Sequence, residues 1–498
     1  MKRDALCLSI AAAFLFLIEA LAWPLAAGRD GHSYLYYAYD FFSLVPEDRF
    51  TMLFRTPMAP FFDFILLTYL PPWGAELAMG ALFVALILSL YRIGLFWGRK
   101  VGLFFAGLFL FHFGWGSLFH VVSNDPPLAI LAPLLLWATL ASVKTQRPIR
   151  FFLVGLLVGL FTLTRPGIFP ALGLLPIFLW NFSWPKKLVS VCAFYMACLP
   201  ILLAWSFWNY SHYGFFSMAP GANVVLPLGR VLAQEQILRE ENGPNSAELA
   251  KAVREFILQP IGSTQDANEY FLSHPRYFEY MLLADKAWGT GNYTILQKAA
   301  WEAVAAQPGK YFCGVAKTIL LSMAGNLKQP VPLQSGARVH THKGHVSYTL
   351  DTQDQWIPLK EFNFSAPLGG DGISGVMAKL GPNSLRAWNF MRSFPKRDGW
   401  IQVGTILNWM AYLFPPILLW LLAVLLWPIR KKKIAPLEIG LLYFWLLCLA
   451  TNVLASFSIW SVIYEYRLPF DPVYVLTGGL AFLHRFWPKA LEDTPNAS

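Results

Sequence analysis

Side chains able to do chemistry gather where the first apolar segment ends. Gly28-Arg29-Asp30-Gly31-His32-Ser33-Tyr34 follows directly on that segment, and Phe54-Arg55-Thr56-Pro57 comes later in the same polar stretch. A carboxylate and an imidazole exchange protons near neutral pH, and guanidinium groups stay charged and grip anions. A cluster of this kind at the exit of a membrane span faces lipid head groups. The rest of the chain then reads as a scaffold that holds it against a lipid-borne substrate.

The composition agrees with a membrane scaffold. The 498 residues are 56% hydrophobic and 14% charged, with mean hydropathy +0.46, whereas a soluble domain carries roughly 25% charged residues. Twenty Trp and 41 Phe suit aromatic belts at two interfaces. The net charge of +10 points to orientation signals rather than nucleic acid, because most Lys and Arg near the spans sit in short loops. Of the five Cys, only Cys313 lies in the large polar region, so neither a disulfide framework nor a zinc spacing is present.

Apolar runs of spanning length occupy Ala5–Ala27, Trp73–Trp97, Val101–His120, Pro126–Val143, Leu188–Trp208, Ile401–Trp427, Leu437–Trp460 and Leu468–Phe486. Met58–Leu70 is too short to cross a core of roughly 30 Å. Phe151–Phe182, interrupted by Thr164-Arg165-Pro166-Gly167, is too long for one crossing and falls short of the roughly 40 residues that two require. Charge bias decides both cases. With Met58–Leu70 on the outer surface and Phe151–Phe182 a hairpin, the clusters Lys2-Arg3, Arg99-Lys100, Lys144/Arg147/Arg150, Lys186-Lys187, Arg430 to Lys433 and Arg485/Lys489 all fall inside. The count is then ten spans. The expected divisions are a membrane module over 1–208 with a first external loop at 28–73, a large external region over 209–400, and a second membrane module over 401–498. The first span also has features of a cleaved secretory signal, but Glu19 inside its core and its length argue against cleavage.

The short hairpin has a consequence: Arg165 must lie below the outer surface, where a charge needs a partner or a wet cavity. In the external region, Ser246–Gln259 (with Ser246 a candidate cap), Tyr293–Ala306 and Tyr311–Met323 read as helices, the last lying on the outer interface. Residues 328–395 read as loops, with a candidate hairpin near Val346–Leu350.

In the order of its landmarks the chain resembles the polytopic GT-C glycosyltransferases, notably bacterial relatives of the protein O-mannosyltransferases and of the lipid A aminoarabinose transferase. The landmarks are Asp30 with Tyr34 and Tyr37 after the first span, Arg55-Thr56-Pro57, Ser123-Asn124-Asp125 before the fourth span, Leu163-Thr164-Arg165-Pro166, Asn209-Tyr210 with Gly214-Phe215, and Tyr464-Glu465-Tyr466-Arg467-Leu468-Pro469. The chain departs from the family pattern at Gly31, where a second acid is common, at Thr56, where a second Pro is common, and at Trp208, where relatives often have Arg.

The resemblance implies an all-α polytopic fold with surface helices in a mixed external region. It also implies inverting transfer of a sugar from a polyprenyl-phosphate carrier to a lipid, glycan or protein acceptor. The setting would be the periplasmic face of the bacterial cytoplasmic membrane, with membrane lipids as neighbours. Such a reaction needs a base for the acceptor hydroxyl and cations for the departing phosphate. Asp30 is the candidate base. Arg165 is the first candidate for the phosphate, followed by Arg467 and Arg55. Asp125 would be a second acid in the cavity or the cap of the helix that opens at Pro126, the cap being favoured. Glu465 would orient Arg467 or a divalent metal, the one cofactor left open. His32 would assist the acceptor, and Tyr34, Tyr37 and Trp73 would stack on sugar. Each has a plainer alternative: a solvated loop acid for Asp30, snorkelling for Arg165, interface anchoring for Arg55 and Arg467. Glu19 and Asp471, inside spans, require partners. His340, His342 and His345 lack flanking ligands at metal spacing, and Gly369-Gly370-Asp371-Gly372 lacks a strand–turn–helix setting, so both read as loops. The rival reading is a transporter or flippase of a lipid-linked sugar, which predicts midplane charges and broken helices.

Overall fold

A computed structural model describes residues 2–22, 25–27, 31–43, 49–70, 72–166, 182–275, 277–289, 291–324, 338–342, 345–349, 436–458 and 467–486. The first half contains α1 (Lys2–Ala22), β1 (Ala26–Ala27), α2 (Gly31–Phe41), α3 (Arg49–Phe54), α4 (Met58–Tyr69) and α5 (Pro72–Gly94). It continues through α6 (Arg99–Leu110), the single turn α7 (Phe113–Gly116), β2 (Val121–Val122), α8 (Asp125–Thr145), α9 (Pro148–Thr164) and α10 (Trp184–Tyr213). Five helical stretches among the described residues are long and apolar enough to cross a membrane: Lys2–Leu21, Gly74–Trp97, Asp125–Thr145, Trp184–Tyr213 and Leu437–Phe457. A sixth is the pair Arg99–Leu110 and Phe113–His120, bent by 68°. The chain is an all-helical membrane protein apart from two small ladders. The expected span 401–427 lies outside the described residues.

The basic turns converge on one end of the bundle. Arg99 donates from Nε and Nη2 to Asp4 at 2.7 and 2.6 Å, and Tyr91 donates to the same carboxylate at 2.9 Å. Lys144 sits 5.6 Å over the Phe96 ring, and Lys186 donates to Gln146 at 3.2 Å. These contacts gather turns far apart in sequence on one side, as the charge bias requires.

The hairpin expected over 151–182 is visible from its ends. α9 has 17 residues, about 25 Å of helix, so it carries the chain from Phe151 at the basic end to Arg165 at the other. Phe182 then packs edge-on against Phe151, with ring centroids 5.6 Å apart. The chain has therefore returned to its starting side by Phe182, although residues 167–181 lie outside the described set.

α4 has 12 residues, too few to cross. It is no loosely attached surface helix, because it buries Ala59, Pro60, Asp63, Phe64, Leu66 and Leu67 while Ile65 and Tyr69 stay exposed. At this end β1 pairs with β2 in parallel, Ala26 with Val121 and Ala27 with Val122. The exit of α1 is thereby tied to the approach to α8.

The helices of the polar region after α10 are α11 (Pro220–Ala233), α12 (Pro244–Val253), α13 (Ala267–Ser273), α14 (Tyr277–Trp288), α15 (Thr294–Ala306) and α16 (Pro308–Ala324). They share a core of their own that includes Leu228, Val231, Leu249, Tyr280, Leu296 and Ala303. The helix expected over Tyr293–Ala306 is α15. The one expected over Ser246–Gln259 is α12 with a following π turn, Arg254–Leu258. Ser246 is no cap: Gly243 holds that position, and buried Ser246 donates to Glu302 Oε2 at 2.8 Å from both its amide and its hydroxyl. Residues Arg338–His342 (β3) and His345–Thr349 (β4) form an antiparallel hairpin with His342 opposite His345. The candidate hairpin near Val346–Leu350 is this pair of strands.

Two helices complete the bundle: α17 (Pro436–Ser458) and α18 (Asp471–Phe486). α16, expected on the outer interface, packs along α17 and reaches inward. Buried Arg230 donates to Thr318 Oγ1 and to the Ser456 carbonyl, both at 2.9 Å, and pairs with Glu235 at 2.9 Å. Tyr311 donates to the Phe457 carbonyl at 2.8 Å. The external helices are thus bolted to the end of a span.

The tightest helix crossing joins α9 and α10. A Cβ on Gly155 would run into the Phe194 carbonyl, whereas one on Gly159 would lie at an ordinary 3.4 Å from Cys198 Cα. Small residues allow this approach, which packing rather than lipid must drive. Replacing Gly155 by Ala is expected to cost about 1–3 kcal/mol of overpacking and Gly159→Ala much less. Thermal unfolding of the two variants in detergent measures the difference.

Candidate functional site

The end opposite the basic turns holds Asp125, Arg165 and Arg55. Asn124 precedes the first turn of α8 and Asp125 opens it; Pro126 and Pro127 lack amide protons, which suits a first turn where those donors would go unused. Arg165 follows the last residue of α9. Its Nη2 donates to Asp125 Oδ1 at 2.9 Å and to Asn124 Oδ1 at 3.0 Å. The Ser123 hydroxyl donates to Asp125 Oδ2 at 3.2 Å and accepts from the Asp125 amide at 3.1 Å. Asp125 is therefore no cap: Asn124 occupies that position, and the Asp125 carboxylate turns to Arg165. Arg165 is nearly buried, at 9% exposure, so it does not snorkel. A carboxylate answers its charge at depth.

Arg55 is drawn to the same end by its neighbour. The Thr56 hydroxyl donates to the Thr164 carbonyl at 3.3 Å, so one hydrogen bond joins the residue after Arg55 to the residue before Arg165. Arg55 Cζ lies 4.8 Å over the Tyr34 ring and 4.8 Å over that of Phe54, and Nη1 donates to the Tyr34 hydroxyl at 3.3 Å. Tyr34, expected to stack on sugar, is buried and carries Arg55 instead. Tyr37 is buried against Phe61 and Trp205, at centroid distances of 6.5 and 6.4 Å. His32 lies in the first turn of α2.

Asp30 and Glu465 lie outside the described residues, which leaves the candidate base and the candidate metal ligand without coordinates. The flanks of Asp30 are described: Ala27 pairs with Val122, and α2 begins at Gly31. The entry to Asp30 therefore runs beside the entry to Asp125. Among the described residues, no group of three His, Cys, Asp or Glu side chains could hold a metal ion.

Arg467 belongs to a second group of polar contacts. It is 1% exposed and donates from Nε to Asp471 Oδ1 and from Nη1 to the Ser322 carbonyl, both at 2.9 Å. His112 Nε2 lies 2.8 Å from the other Asp471 oxygen, at the break between α6 and α7. Arg467 is thus buried and paired, not an interface anchor. Glu19 finds its partner in His120 at 3.3 Å, with Phe16 stacked on the imidazole at 4.4 Å. Both acids placed inside spans are thus paired. Their histidine partners were invisible as such, although any titratable residue in an apolar run is a signal.

One site residue was missed altogether. Asp63, on the inner side of α4, is fully buried, and neither carboxylate oxygen has a hydrogen-bond partner. Burial pushes its pKa well above the ordinary carboxylate range, and the charge of Asp125 pushes the same way. The sequence signal was available: a lone acid in the apolar run Phe61-Phe62-Asp63-Phe64-Ile65-Leu66.

No protein-family model and no curated protein matches this chain.

The Arg165–Asp125 pair carries a direct expectation. Arg165→Ala leaves a buried carboxylate without its counter-charge and is expected to destabilise by about 3–5 kcal/mol. Adding Asp125→Asn to that variant restores most of the loss. Detergent-phase thermal unfolding of the single and double variants reads the coupling.

Proposed function

We propose that this protein is an inverting glycosyltransferase of the GT-C type with ten membrane crossings. In this reading it moves a sugar from a polyprenyl-phosphate donor to a hydroxyl of a lipid, glycan or protein acceptor, at the periplasmic face of the bacterial cytoplasmic membrane. The observation that carries the reading is the Thr56–Thr164 link, which brings two guanidinium groups from separate elements to the end of the bundle opposite the basic turns. That is where a lipid phosphate lies in a bilayer.

The chemistry follows from charge development. The acceptor oxygen attacks the anomeric carbon as its proton passes to Asp30. The bond from that carbon to the phosphate oxygen breaks, and its electron pair leaves with the carrier phosphate. Arg55, stacked on Tyr34, and Arg165, held by Asp125, stand ready for the charge that grows there. Planar guanidinium forks suit phosphate oxygens and do not titrate in the working range.

A second reading, transport of a lipid-linked sugar, draws on different observations: the 68° break at His112 and the buried pairs Glu19–His120 and Asp471–His112. Broken helices and intramembrane titratable groups are features of transporters.

Incubating purified protein with a panel of polyprenyl-phospho-sugars and an envelope extract, and following the freed carrier by mass spectrometry, separates the two. The transferase reading expects release of carrier and a new glycosidic bond. Asp30→Asn is expected to lower the rate by about 10²–10⁴-fold while donor binding persists. Translocation in vesicles with no new bond would establish the transporter instead.

A further inference from the structure

The cluster at Arg165 has a charge balance that depends on Asp63. Asp125 and Arg165 cancel, and Arg55 adds one positive charge. With Asp63 ionised the four groups sum to zero; with Asp63 neutral they keep one net positive charge for an anion. The geometry favours the neutral form. Asp63 is 0% exposed, neither oxygen accepts a hydrogen bond, and the facing charge is another carboxylate. An ionised carboxylate in such a place bears the full cost of desolvation with nothing to offset it, whereas a protonated acid keeps one strong donor.

The surroundings leave few competitors. α4 packs against α2, α5, α8 and α9. Among the described side chains, the titratable and charged groups these bring toward this end are Tyr34, Tyr37, Tyr39 and Asp40 on α2, Glu76 on α5, Asp125 on α8 and Arg165 after α9; α2 also carries His32 and Tyr36 in sequence. Among them Asp125 is the one whose charge acts on Asp63. Arg165, the cation paired with Asp125, donates to Asp125 and Asn124.

We propose that Asp63, in its uncharged form, is a phosphate-binding residue that donates a hydrogen bond to an oxygen of the lipid carrier's phosphate beside Arg165. This rests on the transferase reading for the identity of the ligand. No proton is transferred in the step: the acid donates a hydrogen bond and keeps its proton. Its neutrality spares the anion a repulsion, and its O–H gives a direction that a guanidinium alone does not.

The test measures binding of polyprenyl phosphate to full-length protein in nanodiscs across pH, for the wild type and for Asp63→Asn and Asp63→Ala. Because the neutral acid is the binding form, wild-type affinity is present below the raised pKa of Asp63 and falls as pH rises through it. Asp63→Asn, neutral at every pH and still a donor, keeps wild-type affinity and loses that alkaline fall. Asp63→Ala binds about tenfold more weakly. Asp63→Asn binding as weakly as Asp63→Ala, or retaining the alkaline fall, overturns the proposal. Infrared spectroscopy decides independently of any ligand. At pH 7 the wild-type-minus-Asp63→Asn difference should contain the carbonyl stretch of a protonated acid, and its absence overturns the proposal. A protein that binds the carrier phosphate in this pattern but transfers no sugar refutes the transferase reading and leaves Asp63 where it is put here.

Discussion

A guanidinium withdrawn from water must be met by an anion, and at the non-basic end of this bundle the meeting of Arg165 with Asp125 sets the arrangement of everything near it. The pair joins the end of α9 to the start of α8, two helices already joined at the basic end by a short turn. Asn124 accepts from the guanidinium and Ser123 donates to the carboxylate from the same segment. Once this corner is held, the neighbouring Thr164 carbonyl presents itself to Thr56, and Arg55 arrives with it. The parallel ladder between β1 and β2 brings the exit of α1 to the same corner. Four segments separated by long stretches of chain thus meet through a handful of polar contacts.

The same rule is repeated deeper in the bundle, where the partners come from still more distant elements. Asp471 receives Arg467 and His112, joining the last helix to the break after α6. Glu19 on α1 meets His120, and the Gly116 backbone passes so close that a Cβ there would strike the carboxylate. Arg230 ties the external helices to α17 through Glu235, Thr318 and the Ser456 carbonyl. In a low dielectric each of these groups is costly alone and tolerable when paired, so they specify which helices are neighbours while apolar packing supplies most of the cohesion. Lipid-facing surfaces cannot make that choice, because lipid and leucine are nearly equivalent solvents.

Asp63 stands apart from this pattern, buried and facing another acid. Natural folds tolerate such groups where the group has work to do, and the carboxylate it faces, Asp125, is the one that holds Arg165. In the proposed reaction this corner combines paired charges, which hold the scaffold, with one acid whose own protonation sets the charge offered to a ligand.

Much of this architecture could be read from the chain alone. Hydropathy and the bias of Lys and Arg located the long apolar helices among the described residues, the short α4 and the hairpin whose limbs meet again at Phe151 and Phe182, because span length and loop charge are local properties of the sequence. So was the demand for an anion at Arg165, which followed from the shortness of the hairpin. What answered that demand was not legible. Asp125 looked like a cap, Tyr34 like a sugar platform and Ser246 like a helix start. Each was reassigned by a partner from another element: Arg165, Arg55 and Glu302. A side chain's type determines what it can bind and its place along a helix determines how deep it lies. Which of several compatible partners it takes depends on how the helices pack, and only the tertiary structure decides that.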